Sequence, residues 1–312
     1  MQDTTEWADS VTVTAKFADN VGLASKQYRI GDGAWSDYTD GVTVTENTTV
    51  SFRAVDTAGN EITTNHEVKN VKMEFTGTLE NETKEVVAGE TAQGVIVNDK
   101  GVLTILDYGM ASQITVNEGG SMTVNSGGSA NTTTVKQGGS MTVSGGGYAY
   151  NITNERGTVD ILKGGNAEYL SVDEGGKGTC VEGSVNGLTN YGYVSGGGTF
   201  ENVKIFYGAL TVSSGGKVIG LTMAEYADLT MKEKTTLQGA TIEGAKATMS
   251  GTEVKGVTVA SGGSVQHIYC FINCLNRRII CTLDISSSRN IRICCICRSQ
   301  SIFWWITCRR SI

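Results

Sequence analysis

From Val11 to about residue 70, apolar and polar positions alternate in short bursts: Val11-Thr12-Val13-Thr14-Ala15-Lys16-Phe17, Lys26-Gln27-Tyr28-Arg29-Ile30, Gly41-Val42-Thr43-Val44 and Thr49-Val50-Ser51-Phe52-Arg53-Ala54-Val55. A period of two sends successive side chains to opposite faces, so each burst predicts a half-buried strand. Turn clusters separate the bursts at Asp19-Asn20-Val21-Gly22, Gly31-Asp32-Gly33 and Asp56-Thr57-Ala58-Gly59-Asn60, where Gly and Asn accept positive φ. Short strands punctuated in this way predict a small β-sandwich, with Trp35, Tyr28, Phe17 and Phe52 as its core.

From about residue 78 to Ser264 the pattern becomes a repeat. Glycine pairs recur at Gly119-Gly120, Gly127-Gly128, Gly138-Gly139, Gly146-Gly147, Gly164-Gly165 and Gly175-Gly176, and again at Gly196-Gly197-Gly198, Gly215-Gly216 and Gly262-Gly263. Their second members lie alternately 8 and 11 residues apart in the regular part, which sets a period of 19 residues. Between the glycines stand strand cores of one type, such as Ile114-Thr115-Val116, Met122-Thr123-Val124, Thr133-Thr134-Val135, Met141-Thr142-Val143, Leu210-Thr211-Val212 and Val257-Thr258-Val259. Each is too short to stand as a hairpin, but stacked coil upon coil it pairs with its equivalents and buries a continuous apolar column. About ten coils fit, a rod of roughly 45 Å at strand spacing. The glycines mark corners, where the backbone takes torsions that a side chain disfavours. After Gly216 the repeat decays: Ala227 and Lys234-Thr235 stand where glycines are expected, and the register is least defined there.

Composition agrees with an all-β chain. There are 41 Gly and no Pro in 312 residues, and Pro is what a chain committed to ladder hydrogen bonds must avoid. The formal charge of −7 is uneven: Gln266 to Ile312 holds seven Arg and one acid, Asp284, for +6, which leaves −13 on everything before it. An acidic surface repels nucleic acid and anionic lipid, so neither is expected as a partner. No apolar run approaches the ~20 residues that span a bilayer. Of 8 Cys only Cys180 precedes residue 270, so the body has no disulfide framework. The first residues lack the basic and apolar regions of a signal peptide, and the expected location, extracellular or on the cell surface at the outer membrane, requires a signal and an anchor outside this sequence.

The N-terminal segment resembles the bacterial Ig-like modules of large adhesins, through Tyr28-Arg29-Ile30-Gly31-Asp32-Gly33-Ala34-Trp35, Tyr38-Thr39-Asp40-Gly41-Val42 and Val50-Ser51-Phe52-Arg53-Ala54-Val55-Asp56-Thr57-Ala58-Gly59-Asn60. The resemblance implies a stalk or spacer. The repeats, with the run from Gly119-Gly120-Ser121-Met122-Thr123-Val124 to Gly138-Gly139-Ser140-Met141, resemble the passenger repeats of AIDA-type autotransporter adhesins. That resemblance implies a surface-exposed β-helix acting in adhesion, autoaggregation or biofilm, in some members with sugars on Ser and Thr. The translocator barrel of such proteins has no counterpart here.

After Ser264 the composition breaks, because all 41 Gly lie at or before Gly263 while seven of the 8 Cys follow it. Trp304-Trp305 must be encoded TGG-TGG, which read one nucleotide later gives Gly-Gly; Arg277-Arg278 and Arg309-Arg310 conceal the same pair when their codons are CGG-CGN or AGG-AGN. The tail from about Val265 therefore reads as the same repeat in another frame, with no fold of its own.

Candidate chemistry is sparse. His66 and His267 have no Cys or Asp at zinc spacing, and the cluster Cys270, Cys274, Cys281, Cys294, Cys295, Cys297 and Cys308 contains no C-x₂-C pair. Asp19, Asp32, Asp37, Asp40 and Asp56 crowd the first segment's loops, where calcium ligation and turn chemistry are alternatives and turn chemistry is the simpler. The glycine pairs are followed by Ser-Met or Ser-Ala, not by the Gly-x-Asp of calcium-binding nonapeptides, and Gly31-Asp32-Gly33 opens no helix for a phosphate. Asp173 with Glu174, and Glu80 with Glu82, are weak candidates for the acid and base of a glycosidase. No catalytic, cofactor or metal residue is assigned. Contact aromatics are the best candidates: Tyr148, Tyr150, Tyr169, Tyr191, Tyr193 and Tyr207, with Phe206 and Tyr226, join an apolar face to a polar tip, although several would equally cap the rod or fill its core.

The expectation is thus an all-β chain: an Ig-like β-sandwich over 1–72, a β-solenoid of about 19-residue repeats over 73–264, and a tail over 265–312. Its expected role is an adhesin-like passenger making multivalent contacts with host or bacterial surface glycans or proteins, or with itself. The alternatives are a purely structural stalk and a β-helical polysaccharide-processing enzyme.

Overall fold

A computed structural model describes residues 7–20, 22–224, 226–260, 263–274, 277–286, 290–296 and 304–307, with side chains through residue 265 apart from Val259. The chain divides into two compact units, Met1–Phe75 with Gly89–Thr91 and Thr76–Ala88 with Ala92–Ile312. Every regular element among the described residues is a β-strand, as the alternation predicts.

In the first unit, Ser36–Asp37, Leu23–Ile30, Thr48–Asp56 and Glu61–Val68 form an antiparallel sheet in that order, and Val11–Val13 pairs with Val42–Val44 in a second. Tyr28 stands opposite Phe52, which stands opposite Thr64. The buried set is Val13, Tyr38, Val42, Val44, Val50, Phe52, Val68 and Val71, with Phe17 and Tyr28 packed against it. Trp35 departs from the expected core. It is half-buried and lies between two guanidinium groups, Arg29 at 5.0 Å and Arg53 at 4.5 Å from its ring. A large indole is more easily accommodated where cations cover its faces than inside so small a sandwich. Tyr38 takes the central place instead, in tilted or edge contact with Phe17 and Phe52 at 5.2 and 5.4 Å, its hydroxyl accepting from the Ala15 N–H at 3.0 Å.

The second unit is a parallel β-solenoid in which each coil contributes one strand to each of two sheets. The short-strand sheet stacks Thr83–Val86, Val102–Ile105, Ser121–Val124, Ser140–Val143, Thr158–Ile161, Lys177–Cys180, Tyr193–Gly196, Ala209–Val212, Asp228–Met231 and Lys246–Met249. The long-strand sheet includes Met110–Val116, Ser129–Lys136, Tyr148–Glu155, Asn166–Val172, Thr199–Ile205, Lys217–Met223, Thr236–Ile242 and Glu253–Val259. The register reproduces the 19-residue period where the glycines are regular, with Met122 beside Met141 and Ala130 beside Ala149. As the pattern predicts, Met122 and Val124 are buried while Thr123 between them faces out. Rows of equivalent residues thereby fill the interior, one being Leu103, Met122, Met141 and Val159.

The two members of a glycine pair serve different ends. Gly119 is left-handed, at φ +73°, whereas a Cβ on Gly120 would lie 2.3 Å from the carbonyl oxygen of Val97 in the coil before. The first glycine relieves torsional strain and the second permits close approach of backbone.

Each regular coil has a third left-handed position that the glycine spacing does not reveal. It lies inside the long strand, at Gln113, Thr132, Asn151 and Tyr169 with φ of 57, 55, 57 and 56°, and farther on at Gly187, Gly220, Gly239 and Gly256. A residue with a side chain is disfavoured there by roughly 1–2 kcal/mol, and the stack above and below holds it in place.

The stack does not lose register after Gly216. Lys217 pairs with Thr236 and Thr236 with Glu253, so the decay of glycine is not a decay of fold. Thr235 is buried at one of the corners, donates to or accepts from Thr252 at 2.9 Å, and donates to the Lys232 carbonyl at 2.7 Å. Internal hydrogen bonds replace the close approach that glycine allows elsewhere.

Ser264, Val265 and Gln266 still lie parallel to Lys246, Ala247 and Thr248. The same strand then pairs antiparallel with Arg277–Ser286, followed by Asn290–Ile296 and Trp304–Thr307. The readings of His267 and of the cysteine cluster fall outside the residues whose side chains are described.

Candidate functional site

The six tyrosines singled out from the sequence all lie on the outside of the solenoid. Tyr207, Tyr193 and Tyr169 are the most open, at 70, 65 and 57% exposure, and Tyr148, Tyr150 and Tyr191 are partly covered. None of the six fills the core. They fall into two groups.

The first group lies on the long-strand sheet. Tyr148 and Tyr150 belong to one strand and Tyr169 to the next, where Tyr150 meets Tyr169 edge to face at 5.2 Å. Burial, and then a hydrogen bond to Glu168, raise the Tyr148 phenol above its ordinary value, so it stays a neutral donor at physiological pH.

The second group follows one corner of the coil. Asn190 is followed by Tyr191 and Gly192 before Tyr193 opens the next short strand, and the following coil has Phe206, Tyr207 and Gly208 before Ala209. Tyr191 stacks on Phe206 at 5.3 Å, and Tyr207 on Tyr226 at 5.8 Å with the planes 11° apart. Tyr207 and Tyr226 occupy left-handed positions with φ of 55 and 65°. Tyr108, also left-handed at φ 57° and 74% exposed, stands on the other corner and was not anticipated. The signal for it is in the sequence: Tyr108-Gly109, Tyr191-Gly192 and Tyr207-Gly208 each put a tyrosine directly before a glycine that closes a corner.

Asn190 holds the shortest of these corners from within. Its side chain is buried, its Oδ1 accepts from the Gly192 N–H at 3.0 Å, and its Nδ2 donates to the Ala209 carbonyl at 2.9 Å. Both ends of the amide are used, which a buried polar group in an apolar interior requires.

Other candidates have local roles. Asp56 accepts from the N–H groups of Ala58 and Asn60 and from the Asn60 side chain, and the bonds to Asn60 hold its carboxyl below the usual range. Asp19 accepts from Gly22 N–H at 2.7 Å. Both carboxylates thus bond within their own turns. Glu174 is exposed, Asp173 is half-buried, and Glu80 and Glu82 are exposed. His66 is half-buried and borders an open hollow of about 550 Å³ with Phe17, Phe52 and Ile62 in the first unit. Cys180 is buried, and burial pushes its thiol to about 11, so it is protonated and unreactive at neutral pH. Among the described residues, no three His, Cys, Asp or Glu are grouped to hold a metal, and no helix is long and apolar enough to cross a membrane.

Outward positions repeat as strictly as inward ones. Thr104, Thr123 and Thr142 stand in register, and the column continues through Asp160, Thr179, Ser195, Thr211, Thr230 and Thr248. Fold and surface together define a two-sheet parallel β-solenoid that presents columns of small polar side chains with aromatic corners. Residues 106–158, about a sixth of the chain, match the model of the AIDA family, described as "Adhesin of bacterial autotransporter system, probable stalk". The matched stretch contains the regular glycine pairs, and these repeats are of the AIDA passenger type.

Among solved structures, a TibC-catalysed hyper-glycosylated fragment of TibA is similar at 25% identity, over 62% of this chain and 86% of that one, with a TM-score of 0.49. Pectate lyase PelI from Erwinia chrysanthemi, in complex with tetragalacturonic acid, aligns at 14% identity over 82% of this chain and 92% of that one, with a TM-score of 0.15. Neither superposition is close enough to carry an argument. No curated protein matches the chain.

Proposed function

We propose that the chain is a passenger segment of a bacterial surface adhesin, displayed outside the cell, that attaches to host or bacterial surface glycans or proteins or to copies of itself and performs no catalysis. One observation carries this reading: the stretch that matches the adhesin family is the regular part of a solenoid whose outer face repeats rung after rung. A face repeated at strand spacing, ~4.8 Å, makes many weak contacts at once, and linked contacts multiply in strength without any single strong site.

The first unit is proposed as an Ig-like spacer over 1–72, a reading supported by two antiparallel sheets sharing one core. The repeats are assigned to 73–264. Beads coated with the chain, mixed with bacteria, host cells and uncoated beads, test the proposal. Adherence or clumping above that of beads carrying an unrelated acidic protein is expected. Its complete absence would leave a purely structural stalk, and turnover of a polysaccharide by the purified chain would favour the enzyme instead.

A further inference from the structure

The regular period breaks in one place. Lys177 pairs with Tyr193 and Tyr193 with Ala209, steps of 16 residues, while Ser184 pairs with Thr199 after only 15. The strands keep their pairing, so the missing residues come from the corners. Four residues, Asp173 to Gly176, join Val172 to Lys177, and four join Met223 to Asp228. Between them the same corner is cut to two residues, Tyr191 and Gly192, and then to three, Phe206 to Gly208.

A recess of about 200 Å³ occupies this place, lined by Glu174, Gly175, Tyr191, Gly192, Tyr193 and Tyr207. It is smaller than the roughly 300–1,000 Å³ of sites for drug-sized ligands and takes the place of about seven waters at roughly 30 Å³ each. That suits one small ring. Three phenols and one carboxylate supply apolar faces, hydroxyl donors and an acceptor, the groups that match a sugar's C–H face and its hydroxyls.

The aromatics are also fixed in advance. Tyr191 is backed by Phe206 and Tyr207 by Tyr226, so each lining ring has one face stacked and the other unstacked. Asn190 pins the two-residue corner from inside. Side chains already held lose little freedom on binding. Charge narrows the choice of ligand. Glu174 is the one charged side chain among the described residues lining the recess, Asp173 adjoins it, and the chain before the tail is strongly acidic. Uronates and other acidic sugars are repelled.

We propose that this recess is a carbohydrate subsite that takes one pyranose ring of a neutral glycan, an inference that rests on the adhesin reading and names its ligand class. The test is a panel of immobilised neutral and acidic glycans probed with the full chain, its Tyr191→Ala and Tyr207→Gly variants, and Tyr108→Gly as a control on the opposite corner. Retention by neutral glycans is expected, weakened about tenfold or more by the first two changes and untouched by the third. Tyr207 stands at φ 55°, where glycine is less strained, so loss of binding in Tyr207→Gly with an unchanged or raised unfolding midpoint reports on the ring rather than the fold. Saturation-transfer NMR on the unaltered chain, with each retained glycan as a free oligosaccharide, is expected to show transfer from tyrosine ring protons to sugar C–H protons. Preference for acidic glycans, retention indifferent to Tyr191 and Tyr207, or no transfer from the phenols overturns the subsite. Beads that still adhere or clump while no glycan is retained overturn the subsite and leave the adhesin reading standing; loss of both sinks the two together.

Discussion

Thr133 offers a direct test of how the interior of the solenoid is held. It occupies a row whose neighbours in the coils on either side are Ile114 and Ile152, it is 1% exposed, and its hydroxyl has no hydrogen-bond partner among the described residues. Thr133→Val keeps the volume and the β-branch, so side-chain entropy and strand preference scarcely change. Burying an unpaired hydroxyl costs about 1–3 kcal/mol on mutational scales, and that cost disappears in the variant. For a unit of this size, each kcal/mol moves the thermal midpoint by about 2–4 °C, so a rise of roughly 2–12 °C is expected. Thermal unfolding followed by far-ultraviolet circular dichroism measures it. Thr134→Val, one residue on and facing outward, is the control and should stay within about 0.5 kcal/mol of the parent. An unchanged or lowered midpoint for Thr133→Val would show that the hydroxyl has a partner, a bound water included, and would refute the reasoning.

Three further outcomes follow from the same geometry. Gly120→Ala should lower the unfolding midpoint far more than Ala149→Gly does, because its new Cβ meets the Val97 carbonyl oxygen at 2.3 Å, a backbone atom that cannot turn aside; a small effect would mean that the coil spacing yields. The buried Cys180 thiol, raised from 9.0 to about 11, adds stability that is complete below pH 9 and is lost as the pH climbs through 11, since the unfolded thiol ionises first. Chemical denaturation from pH 7 to 11.5 should therefore show the parent losing roughly 2–3 kcal/mol more than Cys180→Ala, and parallel curves would refute it. Finally, sequencing the gene through the region encoding the tail should reveal glycine-pair codons in the adjacent frame at Trp304-Trp305 and at the Arg-Arg pairs; codons without them remove the frameshift reading.

The solenoid was legible because two of its three left-handed positions fall on glycine pairs, and their 8-and-11 spacing is the coil itself. The third was hidden because the stack forces Gln113, Thr132, Asn151 and Tyr169 into a conformation their types do not advertise. Neighbouring coils override local preference there, and one coil's sequence carries no sign of it. The expected loss of register after Gly216 rested on missing glycines, whereas buried Thr235 and Thr252 satisfy each other instead. The contact tyrosines were chosen correctly as surface residues, but which of them share a recess depends on corners shortened by one or two residues. That difference becomes visible only when the strand pairing is known. Trp35 was misplaced because aromatic size alone suggested the core, while Arg29 and Arg53, distant in sequence, decide its surroundings.

Because each strand of the solenoid leans on one 15 to 19 residues away, very little chain has to be gathered before a new contact forms. Closing so small a loop costs little entropy, and the expense does not grow as the molecule lengthens. All-β proteins ordinarily assemble slowly because their partners lie far apart along the thread. Here the finished end always serves as the template for the next layer, so growth from a single nucleus, in one direction and at a steady pace, is the natural kinetic course.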